Sequence, residues 1–191
     1  MRLLFKLLFI KVSSEGSQNI DPDRNYLFMS NHQSMFDIPL FEAYIPTLVR
    51  GIEAQRQFKW PVYGWLIRRL GNIPIDRKSI YASVRAMKKT EEILKKGKSI
   101  IILPEGHRTL DGKMRPFKKL PFHLAKQAGV PIVPMGISGL FQLKHKGSWL
   151  IKPRPVKVTF GQPIEPEEIL VLSTEELRDC IRKKIEALLQ R

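Results

Sequence analysis

Residues 99–103 read Ser-Ile-Ile-Ile-Leu, and this run constrains the fold more than any other segment of the chain. A continuous β-branched apolar run suits a strand that is buried on both faces of a sheet. The preceding residues 79–96 place apolar side chains at near-helical spacing, and Gly97 follows as a stop signal. A helix that leads into a buried strand favours an α/β sheet with helices packed on its faces.

The rest of the chain continues this alternation of strands and helices. With 191 residues and 43% hydrophobic side chains, it is long and apolar enough for one domain with a substantial core. We therefore predict the α/β class, as a single domain over residues 1–191 with a mixed β-sheet flanked by helices. The further predicted strands are 25–30, 47–52, 130–136 and 156–160, and the further predicted helices are 35–44, 60–70, 117–128 and 174–189.

The segment at 31–37, Asn-His-Gln-Ser-Met-Phe-Asp, follows the first of these strands. A histidine oriented by an aspartate can act as a general base toward a hydroxyl. His32 and Asp37 are five residues apart, so we expect His32 in the turn before a helix and Asp37 in its first turn. The spacing from Ser34 to Asp37 also suits a capping box, in which Asp37 would only satisfy the helix N-terminus. The local pattern leaves both roles open.

A second polar cluster, Pro-Glu-Gly-His-Arg-Thr at 104–109, follows the buried strand at 99–103. Open α/β sheets bind ligands at the carboxyl ends of their strands, so we expect the two clusters to form one site. Gly106 would allow close approach to the backbone, and Arg108 can hold a phosphate through two hydrogen bonds. A surface turn with an ion pair between Glu105 and Arg108 is the alternative. Arg77, at the end of the segment 71–77, offers a second guanidinium group.

The net charge of +15 and the pI near 10.1 indicate anionic partners. Nucleic acid, an acidic membrane surface and small phosphorylated or acidic-carrier substrates are the three candidates. No nucleic-acid motif organises the basic residues, so we predict no nucleic-acid partner and a membrane-facing basic patch. The apolar segment 1–11 fits either an ordinary core element or a segment lying in the membrane interface.

The sequence lacks the features of several other enzyme classes. Cys180 is the only cysteine, which excludes an intramolecular disulfide and a thiolate zinc cluster. His32, Asp37, Glu105 and His107 do not have the spacing of a zinc motif, and we predict no metal. No Gly-x-Ser-x-Gly segment is present to support a serine nucleophile.

Four blocks, in this order, resemble the lysophosphatidate acyltransferase family (the 1-acyl-sn-glycerol-3-phosphate acyltransferases). They are NHxxxxD at 31–37, GxxxIxR at 71–77, PEGxR[ST] at 104–109 and VP[IV][VI]P at 130–134. Each block is loose on its own, but four in register across residues 26–140 are a strong signal. One departure is Leu120, which follows the two lysines at 118–119 where relatives often carry glycine.

The resemblance implies a glycerol-phosphate-acyltransferase-like fold and a set of roles. His32 resembles the general base and Asp37 its orienting partner. Arg77 matches the contact to the acceptor phosphate, Glu105 and Gly106 match the acceptor-binding loop, and Arg108 is an additional phosphate ligand. The residues at 130–134 resemble part of the acyl or donor side.

The implied reaction moves a fatty acyl group to the 2-hydroxyl of 1-acyl-sn-glycerol-3-phosphate, giving phosphatidic acid for phospholipid synthesis. The donor is acyl-CoA or acyl-carrier protein, and no cofactor is needed. We expect peripheral contact with anionic membrane at the cytoplasmic face of the cell membrane. Two alternatives stay open: acyl transfer to another lysolipid or hydroxylated lipid, and a non-catalytic module that binds anionic membranes.

Overall fold

A seven-stranded sheet runs through the centre of the computed structural model, which describes residues 2–76 and 78–190. The order across the sheet is β1-β7-β6-β2-β5-β3-β4, and the five strands from β6 to β4 are parallel. Strand β7 is antiparallel to β6, and β1 is parallel to β7. The strands are β1 Val12–Glu15, β2 Leu27–Ser30, β3 Val49–Ala54, β4 Ile73–Ile75, β5 Ser99–Ile102, β6 Ile132–Ser138 and β7 Val156–Phe160.

Helices cover both faces of this sheet, which confirms the predicted α/β class with a mixed sheet. On β2, Leu27 and Met29 join the core on the side of α4, α5 and α8, whereas Phe28 joins the core on the side of α1, α2 and α6. This alternation is the period-two pattern of a strand buried on both faces. The helices are α1 Arg2–Leu7, α2 Asp37–Tyr44, α3 Pro61–Arg69, α4 Ile80–Lys95, α5 Leu120–Ala128, α6 Leu140–Leu143, α7 Pro166–Val171 and α8 Thr174–Leu189.

Prolines set two helix starts later than predicted. Helix α2 begins at Asp37 instead of residue 35, which places Pro39 in the first turn, where its missing N–H is not needed. Helix α5 begins at Leu120 instead of residue 117 for the same reason, with Pro121 as its second residue. Strand β7 and helix α8, which begins with a capping box, start and end as predicted.

The N-terminal segment forms a short helix with two different sides. Phe5 of α1 is buried, with its ring 6.3 Å from that of Phe36. Leu3, Leu7 and Phe9 are exposed. One side therefore joins the core, and contact of the other side with a membrane stays a prediction. Within residues 2–76 and 78–190, we find no helix with the length and hydrophobicity needed to cross a bilayer.

Candidate active site

The two polar clusters meet at one edge of the sheet. Strands β2 and β5 are parallel neighbours, with Phe28 paired to Ile101 and Met29 paired to Ile102. Because both strands end at the same edge, the segments that follow them lie side by side. The backbone N–H of His32 donates to Glu105 Oε1 at 2.7 Å, and the N–H of Thr109 donates to the His32 carbonyl at 2.9 Å. The second cluster therefore bonds both the backbone N–H and the backbone carbonyl of His32.

His32 and Asp37 form a direct pair. The distance from His32 Nδ1 to Asp37 Oδ2 is 2.5 Å. The Asp37 side chain is fully buried, whereas the His32 side chain is 12% exposed. The accessible part of the pair therefore belongs to the imidazole. With Nδ1 bonded to a carboxylate, the tautomer that exposes a lone pair on Nε2 is favoured, which is the form that accepts a proton.

The same carboxylate also satisfies the start of α2. Asp37 Oδ2 accepts the backbone N–H of Gln33 at 2.9 Å, and both carboxylate oxygens lie 3.2 Å from the N–H of Ser34. Thus the two alternatives for Asp37 are compatible, because one side chain holds the turn and orients the ring. Ser34 does not cap the helix through its hydroxyl, which donates instead to the Lys144 carbonyl at 2.7 Å.

Glu105 is buried, and its two oxygens accept separate backbone N–H groups. Oε1 accepts from His32, and Oε2 accepts from Arg115 at 2.7 Å. Burial raises the pKa of the Glu105 carboxyl, while the backbone N–H groups of Arg115 and His32 pull that pKa back down. These contacts give Glu105 a positioning role for the histidine turn, and a contact with the acceptor stays a prediction.

Of the residues predicted to bind the acceptor, Gly106 and Arg108 lie in the segment after β5 that also carries Glu105. Gly106 has φ +74°, and a Cβ built on it would lie 2.9 Å from Lys118 Cε. The positive φ favours glycine here, whereas the space is limited only by the movable end of the Lys118 side chain. Arg108 is partly exposed, in the same segment as Glu105 and Thr109. Arg77 lies outside the described residues.

Several contacts of the site carried no local sequence signal. Asn31 is buried and exchanges two hydrogen bonds with the backbone of Ile137, at 2.8 and 2.9 Å, which ties the end of β2 to β6. Gln33 accepts the N–H of Phe141 at 3.2 Å. From α8, Arg182 donates to the carbonyl of Arg115 at 2.7 Å. Each bond joins residues far apart in the sequence, so only the folded chain reveals it.

An apolar cavity of about 80 Å³ lies beside Gly106. It sits between the sheet and the start of α4 and α5, and its apolar lining includes Ile52, Met87 and Ile102. Residues of the fourth block do not line this cavity: Val133 and Pro134 belong to β6, where both are buried in the sheet. Among the residues that the structure describes, no three His, Cys, Asp or Glu side chains are grouped to hold a metal ion.

Comparison with known proteins agrees with this fold. The family model described as Acyltransferase matches residues 11–138. A solved structure, the 1-acyl-sn-glycerophosphate acyltransferase PlsC of Thermotoga maritima, is 34% identical with a TM-score of 0.89, over 99% of this chain and 75% of that one.

Two curated relatives extend the comparison. The chloroplastic 1-acyl-sn-glycerol-3-phosphate acyltransferase of Brassica napus is 34% identical over 82% of this chain and 46% of its own length. The alpha form from Homo sapiens is 36% identical over 95% of this chain and 65% of its own length. The chain spans about half the length of the plant relatives it matches. With the family model and the PlsC structure, these matches show that the chain belongs to the acyltransferase family, together with the 1-acyl-sn-glycerol-3-phosphate acyltransferases.

Proposed function

We propose that the protein transfers a fatty acyl group from acyl-CoA or acyl-carrier protein to the 2-hydroxyl of 1-acyl-sn-glycerol-3-phosphate, producing phosphatidic acid for phospholipid synthesis. The observation that carries this proposal is the 2.5 Å bond between His32 Nδ1 and Asp37, with the only accessible part of the pair on the imidazole. The relatives with this fold are named for the same activity.

The chemistry needs one proton-transfer group. His32 Nε2 accepts the proton of the acceptor hydroxyl as the oxygen attacks the thioester carbonyl, and the carbon–sulfur bond then breaks. The leaving thiolate takes the proton back from the imidazolium, so the histidine returns to its starting state. Asp37 stabilises the positive ring during the reaction. A positioned general base contributes about 10²–10⁴-fold to the rate.

We assign acceptor recognition to Arg77, Gly106 and Arg108. Arg108 and Arg77 supply guanidinium groups for the acceptor phosphate, and each charge-assisted bond contributes about 1.5–3 kcal/mol. Gly106 lets the acceptor approach the backbone. The apolar cavity beside Gly106 suits a segment of an acyl chain, because its lining is mostly hydrocarbon. The donors and the acceptor are all anionic, which suits a chain of net charge +15. We place the reaction peripherally at the cytoplasmic face of the cell membrane, where a lipid acceptor and an acidic donor meet.

The test is a reconstituted assay. Purified protein is incubated with 1-acyl-sn-glycerol-3-phosphate and either acyl-CoA or acyl-carrier protein carrying the acyl group, and products are followed by mass spectrometry. We expect phosphatidic acid from the native chain and a loss of at least about 10²-fold in His32→Ala. The matched control is His123→Ala, which removes an exposed imidazole from α5 and should keep activity.

Three results would contradict the proposal. Turnover by His32→Ala at the native rate would exclude the general-base role. Equal turnover with a monoacylglycerol, which lacks the phosphate, would exclude phosphate recognition and favour acyl transfer to another hydroxylated lipid. Vesicle binding without turnover of any acceptor would favour a non-catalytic membrane module.

A further inference from the structure

An apolar tip projects from the chain between α6 and β7. Trp149 is 96% exposed, the highest value among the large apolar side chains that the structure describes. Leu150 is 68% exposed and Ile151 is 39% exposed, so three consecutive apolar residues face solvent together. Single exposed apolar residues are ordinary on a protein surface, but a contiguous run that includes a tryptophan marks a contact with another apolar phase.

Internal hydrogen bonds give this tip a defined conformation. The N–H of Lys152 donates to the Leu143 carbonyl at 2.9 Å, which closes the base of the loop. Within the tip, Ser148 Oγ both accepts the N–H of Leu150 at 3.1 Å and donates to its carbonyl at 3.0 Å. The loop is thus built to hold its apolar residues outward instead of folding them onto the core.

The loop is also attached to the active site. Ser34, two residues after His32, donates its hydroxyl to the Lys144 carbonyl at the start of the loop. The loop follows β6, which is parallel to β2, so both leave the sheet at the same edge. Anything that binds the tip therefore lies on the side of the molecule where the histidine turn is found.

Positive charge surrounds the tip. A depression of about 650 Å³ behind it is lined by His145, Lys152 and Arg154, together with uncharged residues from 138 to 155. Within residues 144–155 the sequence has four Lys or Arg residues and no Asp or Glu. A segment with this composition attracts anions without competition from carboxylates of its own.

We propose that residues 144–155 form a membrane-docking loop, in which the apolar tip enters the lipid interface and the basic residues behind it bind the phosphate groups of anionic lipids. Tryptophan is favoured at the membrane–water interface, where its ring lies in an apolar layer and its N–H reaches polar groups. A membrane of anionic lipids satisfies the tip and the charge at once. An acidic protein partner would satisfy the charge but would need a matching apolar socket for the tip.

This inference goes beyond the proposed acyl transfer, because vesicle binding is measured without turnover. The chain has three tryptophans, so the first experiment combines Trp60→Phe with Trp65→Phe to leave Trp149 as the only tryptophan. Vesicles of phosphatidylcholine with phosphatidylglycerol should shift its emission to the blue, and brominated acyl chains should quench it. Pure phosphatidylcholine vesicles should have a much smaller effect. An unshifted, unquenched emission at saturating anionic lipid would overturn the proposal.

The second experiment removes the apolar tip. Trp149→Ser combined with Leu150→Ser should weaken binding to the same anionic vesicles by about tenfold or more. The matched control is Leu170→Ser combined with Val171→Ser, which removes an equally exposed apolar pair at the end of α7. If the control pair weakens binding as much as the tip pair, the loop is not the docking surface.

The third experiment removes charge. Lys152→Gln combined with Arg154→Gln should weaken vesicle binding by about 10–30-fold and reduce its dependence on salt. Lys96→Gln combined with Lys98→Gln removes the same charge just before β5, at the opposite edge of the sheet, and should change binding little.

Turnover measurements on the loop variants distinguish the membrane-docking proposal from the proposed acyl transfer. The loop variants should keep native turnover on a short-chain acceptor below its micellar concentration and lose turnover only on vesicle-bound acceptor. If instead the Lys152 and Arg154 variant binds vesicles normally and fails only with acyl-carrier protein as donor, the loop docks a protein and the membrane proposal is wrong. Native acyl transfer with no vesicle binding would also refute it while leaving the enzyme intact.

Discussion

Asp37→Asn removes the negative charge beside His32 while leaving the volume of the side chain unchanged. The carboxylate accepts hydrogen bonds from His32 Nδ1 and from the backbone N–H groups of Gln33 and Ser34. An asparagine has one oxygen for these three donors. If its NH₂ group takes the Oδ2 position, it faces His32 Nδ1 and favours the tautomer with the proton on Nε2. If its oxygen takes that position, the NH₂ group faces the N–H of Ser34.

Either orientation lowers the rate of the chemical step. Loss of the charge-assisted bond costs about 1.5–3 kcal/mol, which corresponds to roughly 10–150-fold at about 1.4 kcal/mol for each factor of ten. The unfavourable tautomer adds to this loss, as in serine proteases, where the equivalent change costs about 10⁴-fold. We therefore expect kcat to fall by about 10²–10⁴-fold.

The burial of Asp37 predicts which kinetic constant changes. Its side chain has no exposed surface, so it cannot touch either substrate. We expect KM for donor and acceptor to stay within about threefold of the native values, since ground-state binding is not altered. The measurement is a steady-state assay with both substrates varied, accompanied by a thermal melt. The matched control is Asp179→Asn on α8, where the carboxylate is 57% exposed.

A kcat within threefold of the native value in a folded Asp37→Asn protein would refute the reasoning. It would mean that the 2.5 Å bond stabilises the turn without orienting a base. A large rise in KM at constant kcat would also contradict it, because a residue buried from solvent would then be acting on substrate binding.

Three further predictions concern Gly106, Glu105 and Glu42. Gly106→Ala and Gly97→Ala both place an alanine at positive φ and should each cost about 1–2 kcal/mol of stability in thermal melts, because the new Cβ meets only the movable end of the Lys118 side chain at 106 and open space at 97. Activity should fall beyond this common cost only in Gly106→Ala, where the Cβ would obstruct the approach of the acceptor to the backbone. Glu105→Gln turns an NH₂ group against one of two backbone donors, so we expect about 2–3 kcal/mol lower stability by denaturant unfolding and a parallel loss of kcat. Burial, and then the charge of Glu53, raises the pKa of Glu42 to about 7, so ionising this carboxyl opposes folding as pH rises from about 4.5 through 7. Glu42→Gln should equal the native protein in stability at pH 4 and exceed it by about 1–2 kcal/mol at pH 8, after allowance for partial exposure, and a constant difference across this range would contradict the assignment.

The sequence predicted those elements whose signals are local. Helix α8 is correct at both ends because Ser173 and Glu176 form the capping box that the spacing implies. Strand β7 is correct because its residues alternate between apolar and polar, a signal carried within the strand itself. The starts of β3 and β6 were each predicted two residues early. The first paired residue of a strand in a parallel sheet depends on its register with the neighbouring strands, and local β-propensity carries no information about those neighbours. The short helices α6 and α7 were missed, because four to six residues give little periodicity.

The same division holds in the site. The pair of His32 and Asp37 was predictable because five residues separate them and a turn brings them together. The contacts that fix the pair in place span much longer separations: 73 residues from His32 to Glu105, and 110 from Ser34 to Lys144. Sequence-spacing patterns do not predict contacts over such separations. These contacts form because the sheet topology places β5 and β6 on either side of β2.

The hydrogen bonding around His32 also bears on the order of the reaction. The partner of its Nδ1 is a carboxylate, and the two hydroxyls nearest in sequence have other acceptors: Ser30 Oγ donates to Asn31 Oδ1, and Ser34 Oγ donates to the Lys144 carbonyl. Cys180, the only thiol of the chain, lies on α8. We therefore expect His32 to activate a hydroxyl that the substrate brings, with direct acyl transfer and no acyl-enzyme. Donor and acceptor should then occupy the site together, and the rate of donor cleavage should depend on the presence of the acceptor.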